Sequence, residues 1–177
     1  MENNIFKDFR DYLIQIDSKT QSFIHLANII SDQKAAEGFY MALQNLIPQS
    51  TDWKYVPNAT GGFLGFWYHW KANEKYNFHI QIQIALNKTP LLTVKISDWT
   101  PNTHTLHGLY DELEILAHKY NLKLKKPARY KAGKTSTLAI IEDAFSTDAD
   151  GKLNMVGFIQ TLNGLENLID EFVLINA

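Results

Sequence analysis

The spacing of apolar residues divides the chain into three regimes. Phe6, Phe9, Leu13 and Ile16 recur every three or four positions, and Phe23, Leu26 and Ile30 repeat the pattern beyond Asp17-Ser18-Lys19-Thr20. Ala35, Phe39, Leu43 and Ile47 form a third stripe, which Pro48 stops. Each is the period of an amphipathic helix. In the middle of the chain the period drops to two. Tyr76, Phe78, Ile80, Ile82 and Ile84 alternate with Asn77, His79, Gln81, Gln83 and Ala85, the pattern of a strand with one apolar and one polar face. Asn87-Lys88-Thr89-Pro90 reads as a turn into a strand over 91–96, where Leu92, Val94 and Ile96 share a side.

Helical spacing then returns with Leu106, Leu109, Tyr110, Leu113, Leu116, Ala117 and Tyr120, and Asn121 is placed to close that helix. Two strands, over 122–126 and 135–141, flank a basic turn. A last helix carries Val156, Ile159, Leu162, Leu165, Ile169 and Phe172. The predicted order is α-α-α-β-β-β-α-β-β-α. It describes an α+β fold: a mostly antiparallel sheet (a three-strand meander, a helix, two further strands) covered by helices, with an N-terminal helical segment. Residues 1–177 are expected to form a single α+β domain, the first 30 able to stand off as a helical arm.

The strand before the alternating one is unusual. Within 61–70, Phe63, Phe66, Trp67, Tyr68 and Trp70 crowd together with His69 behind the Gly61-Gly62 pair. Large side chains on both faces require a strand packed between layers or one that offers aromatic surface to a partner. Core is the commoner outcome for such residues.

Charge changes the picture locally. The net charge is −2, so the whole chain is no polycation. Yet 115–141 contains no acid and holds Lys119, Lys123, Lys125, Lys126, Arg129, Lys131 and Lys134. The C-terminal third holds Glu142, Asp143, Asp148, Asp150, Glu166, Asp170 and Glu171 against Lys152. The two regions can pair within the fold or leave one side of the molecule basic, able to contact phosphates. Cysteine is absent, which excludes disulfides, thiolate metal sites and cysteine nucleophiles. With no secretory leader and no apolar run of spanning length, the expected location is the cytoplasm, with no membrane partner.

Motifs for catalysis are incomplete. Ala132-Gly133-Lys134-Thr135 ends like a phosphate-binding loop, but Ala128 or Arg129 stands where the first glycine belongs and a strand follows. Asp148-Ala149-Asp150-Gly151 resembles a calcium loop whose first position is Ser146 and whose twelfth is Gly157 rather than glutamate. A metal-dependent nuclease needs strand carboxylates beside a lysine; here only Gln83 and Lys95 remain in comparable places. No catalytic residue, metal ligand or cofactor is therefore assigned. The candidate contacts for nucleic acid or a partner are Lys123, Lys125, Lys126, Arg129, Lys131 and Lys134, together with His79, Gln81 and Gln83, read as an exposed polar strand face.

Four segments in this order, 61–68 (GGFLGFWY), 78–82 (FHIQI), 91–96 (LLTVKI) and 129–140 (RYKAGKTSTLAI), resemble the C-terminal half of a bacterial branch of the PD-(D/E)XK nuclease superfamily. The resemblance implies a bacterial, non-catalytic accessory domain, its nuclease motif lying in an upstream segment absent from this chain. The expected partners are nucleic acid or that nuclease domain. Two other readings stand beside it: an interaction or oligomerisation module using the aromatic strand, and a degenerate divalent-metal-dependent nuclease.

Overall fold

The computed structural model describes residues 54–55, 64–84, 91–97, 102–131, 133–146, 149 and 154–177. The predicted N-terminal helices, Trp53, Phe63, the turn at 87–90 and most of the acidic loop at 147–151 lie outside them. Contacts divide the chain into two compact units. One comprises Met1–Tyr68, Ile82–Leu91 and Phe145–Met155; the other comprises His69–Gln81, Leu92–Ala144 and Val156–Ala177.

Six strands form one sheet: β1 (Lys54–Tyr55), β2 (Leu64–Ala72), β3 (Asn77–Ile84), β4 (Leu91–Ser97), β5 (Leu124–Lys125) and β6 (Thr135–Ile141). Their spatial order is β1-β2-β3-β4-β6-β5. The β1–β2, β4–β6 and β5–β6 pairs are antiparallel. With α1 (Thr103–Ala117) and α2 (Met155–Ile175) this is the expected α+β architecture. Two details differ from the sequence reading. β1 is a two-residue addition outside the meander, and the strand expected over 122–126 is reduced to Leu124–Lys125.

Local chemistry explains the element ends. The β2–β3 hairpin turns on Asn73, whose Oδ1 accepts from the amides of Lys75 (2.9 Å) and Tyr76 (2.8 Å). Its Nδ2 donates to the carbonyl of Asn176 (3.1 Å), tying the hairpin tip to the residue after α2. Asn102 caps α1, its Oδ1 accepting from the Thr105 amide at 2.8 Å and the Thr105 hydroxyl at 2.9 Å. Asn102→Ala is expected to cost about 1 kcal/mol in urea denaturation; an unchanged midpoint would show that the cap contributes nothing. A 3-10 turn, His118–Tyr120, extends α1, and Asn121 closes it in the left-handed region (φ 54°), as its sequence position suggests.

The core joins the apolar face of the sheet to the helices. Phe78, Ile80, Ile82, Val94, Ile96 and Leu138 are buried, as are Leu106, Leu109, Leu113 and Ala117 of α1 and Phe158, Leu162, Leu165 and Phe172 of α2. Phe78 meets Phe172 edge-on, with ring centroids 5.5 Å apart. The other side of β3 and β4 is withdrawn from solvent too. His79, Gln81, Thr93, Lys95 and Ser97 are all buried. This corrects the expectation of a solvated polar strand face: His79 and Gln81 are each 4% exposed, and Gln83 is half-buried. Alternation fixes which residues share a side of a strand, whereas exposure depends on what covers that side.

Candidate functional site

Lys123, Lys125, Lys126, Arg129, Lys131 and Lys134 are all exposed. Around β5 the alternation is clean: Leu122 and Leu124 are buried, while Lys123 and Lys125 point outward. β5 is the last strand of the sheet, so these cations line its edge. The turn between β5 and β6 is fixed from beneath. Tyr130 is buried, donates its hydroxyl to the carbonyl of Leu138 (3.0 Å) and meets His107 of α1 edge-on at 4.7 Å. Ser136 Oγ donates to the carbonyl of Lys131 at 2.6 Å. Arg129, Lys131 and Lys134 thus project from an anchored backbone.

Lys119 and Lys123 pair with acids of the C-terminal third, and Lys126 pairs instead with Asp111 of α1. Lys126 Nζ lies 2.6 Å from Asp111 Oδ1 and 4.8 Å from the centroid of the Tyr110 ring. Lys123 Nζ lies 3.7 Å from Asp143. Lys119 pairs with Glu171 at 2.6 Å, and Tyr120 donates its hydroxyl to the same carboxylate. These two donors hold Glu171 below its ordinary pKa. Among the described residues, Lys125, Arg129, Lys131 and Lys134 form no ion pair. Exposed pairs are worth little to stability, so the arrangement leaves a local excess of positive charge at this edge.

His79, Gln81 and Gln83 do not join that surface. They stand on β3, which is separated from β5 by β4 and β6. Three strand spacings put His79 and Gln81 roughly 14 Å from β5 across the sheet. Trp70 covers the His79 ring in a near-parallel stack (centroids 5.4 Å, planes 7° apart) and is itself 39% exposed. Burial lowers the His79 pKa to about 4, against a smaller upward pull from the Gln81 side chain and with a further lowering by Lys95. The ring is therefore neutral near pH 7.

Beside this histidine lies a group that pattern reading noted only as a remnant. Lys95, on β4, is 7% exposed. The β4–β6 register slips between Val94 and Lys95: Val94 faces Ala139, but Lys95 faces Thr137. The slip brings Lys95 Nζ to 2.6 Å from Thr137 Oγ1. Burial lowers the Lys95 pKa to about 8. Ser97 Oγ lies 3.1 Å from Thr135 Oγ1 and 3.4 Å from His79 Nδ1, while Thr93 donates its hydroxyl to the carbonyl of Gln81 (3.1 Å). The signal for this cluster was present as Thr93-x-Lys95-x-Ser97, a polar alternation matching His79-x-Gln81-x-Gln83 on the neighbouring strand.

A third cluster faces α2. His69 has left-handed backbone (φ 57°), a conformation histidine tolerates better than most residues. Its Nε2 lies 2.8 Å from Asp170, which also meets Lys71 at 3.1 Å. This group joins β2 to α2 and has no nucleophile assigned to it. Among the described residues no three His, Cys, Asp or Glu side chains converge as metal ligands. Strands β2, β3, β4 and β6 contain no Asp or Glu at all. No described helix is long and apolar enough to cross a membrane. No protein-family profile, curated protein or solved structure matches the chain.

Proposed function

We propose that this protein is a non-catalytic binding domain whose basic edge contacts the phosphates of nucleic acid. The observation that carries the reading is the set of exposed cations at β5 and the following turn, four of which have no acidic partner among the described residues. Tyr130 and Ser136 hold the turn backbone in place, so binding need not order it first. In this reading Lys125, Arg129, Lys131 and Lys134 neutralise phosphates, while Lys123 and Lys126 exchange Asp143 and Asp111 for them. Such contacts position a backbone and carry no base code. The absence of acids from β2, β3, β4 and β6 supports a binding role over metal-dependent cleavage.

Anisotropy titration of a labelled oligonucleotide tests the reading. Six phosphate contacts predict that affinity falls about 1,000-fold between about 50 and about 200 mM salt. Reversing Lys125, Arg129, Lys131 and Lys134 to glutamate is expected to abolish binding. No binding by the unaltered protein at low salt would sink the proposal. The edge lysines would then serve to keep β5 from pairing with another chain.

A further inference from the structure

We propose that Lys95, with Ser97, Thr135 and Thr137 beside it, forms a binding site for a small tetrahedral oxyanion of the phosphate or sulfate class. The argument starts from donors. An ammonium carries three N–H bonds. That of Lys95 makes one hydrogen bond, to Thr137 Oγ1, and among the described residues no carboxylate lies within ion-pair distance. A buried cation in that state is costly unless it gains a counter-charge or sheds its proton. The neighbouring groups favour the first outcome. Thr135, Thr137 and Ser97 offer hydroxyls that can turn toward an acceptor, whereas the Thr93 hydroxyl is already committed to the Gln81 carbonyl.

The groups facing Lys95 from the adjoining strands add no rival negative charge. β3 contributes His79 and Gln81, and β6 contributes Thr135 and Thr137. His79 is neutral near pH 7, and its Nδ1 lies 3.4 Å from Ser97 Oγ. Thr135 is exposed and Thr137 half-buried, while Lys95 itself is 7% exposed. Lys95 stands on β4, whereas the basic edge lies at β5 and the turn after it, so the two sites are distinct.

The test is the effect of inorganic phosphate on melting temperature and on the Lys95 amine. Phosphate at about ten times its dissociation constant is expected to raise the melting temperature by about 3 °C or more. Sodium chloride at equal ionic strength is expected not to. In 15N spectra of lysine-labelled protein, the Lys95 pKa moves up from about 8 when phosphate is added. Lys95→Met removes the phosphate response, and Thr137→Val weakens it. The quadruple glutamate variant of the basic edge retains it, which separates this site from the proposed nucleic-acid contact. A phosphate response equal in Lys95→Met, or an Nζ titration indifferent to phosphate, overturns the proposal.

Discussion

Phe172→Ala lowers the stability of the protein by about 3–5 kcal/mol in urea denaturation. Phe172 is 2% exposed and meets Phe78 edge-on, so truncation removes most of a ring's burial and opens a cavity against β3. The surroundings leave little room for collapse. Asn73 donates to the Asn176 carbonyl, and both the amide and the side-chain Nδ2 of Asn176 donate to the Phe172 carbonyl (3.2 and 3.0 Å). Those bonds fix the end of α2 against the β2–β3 hairpin. Phe172→Leu, which keeps part of the volume, is expected to cost less. An alanine variant within about 1 kcal/mol of the unaltered protein would show that α2 is not packed on β3 as described.

The second large effect is a loss of stability in mild acid caused by His79. Its folded pKa is lowered to about 4 from 6.5, chiefly by burial. Above pH 6.5 the ring is neutral in both folded and unfolded chains. As pH falls from about 6.5 to about 4, the unfolded chain takes up a proton that the folded chain refuses. Stability therefore falls through that window, by about 3 kcal/mol, and levels off below it as far as this residue is concerned. His79→Gln removes the titration. Carboxylates also titrate near the lower end of the window, so the informative quantity is the difference between the unaltered protein and His79→Gln at each pH. A difference that stays constant from pH 7 to 4 rules the effect out. Lys95 acts in the same sense at high pH: its folded pKa of about 8 makes stability rise between about 8 and 10.5 as the folded amine deprotonates first.

Much of this architecture was legible in residue order because periodicity is a local property. Phe78, Ile80 and Ile82 fall on one face of β3 as their alternation requires, and β6 runs over Thr135–Ile141 as predicted. The stripe Leu106, Leu109, Leu113 and Ala117 is the buried face of α1, and Asn121 ends the extension of that helix. The basic edge was legible for the same reason. Lys123 precedes the two-residue β5 and Lys125 follows Leu124 within it, and alternation sets which way each side chain points.

What the residue order left undecided concerns covering and register. Nothing in His79-x-Gln81-x-Gln83 distinguishes a wet face from a buried one, and the structure buries the first two. Nothing in the Thr93-Val94-Lys95 segment announces that β6 slips by one residue beside it, yet that slip sets Lys95 against Thr137. For the described residues, β1 apart, the sequence by itself determined the elements, their order, the apolar faces and the run of cations, because each follows from side chains a few positions apart. Tertiary structure alone decided which polar face is dry, how far the cations stand from it, and which hydroxyl receives the buried ammonium. Those outcomes depend on strands brought together from positions some 40 residues apart, such as Lys95 and Thr137, and no local pattern encodes that pairing.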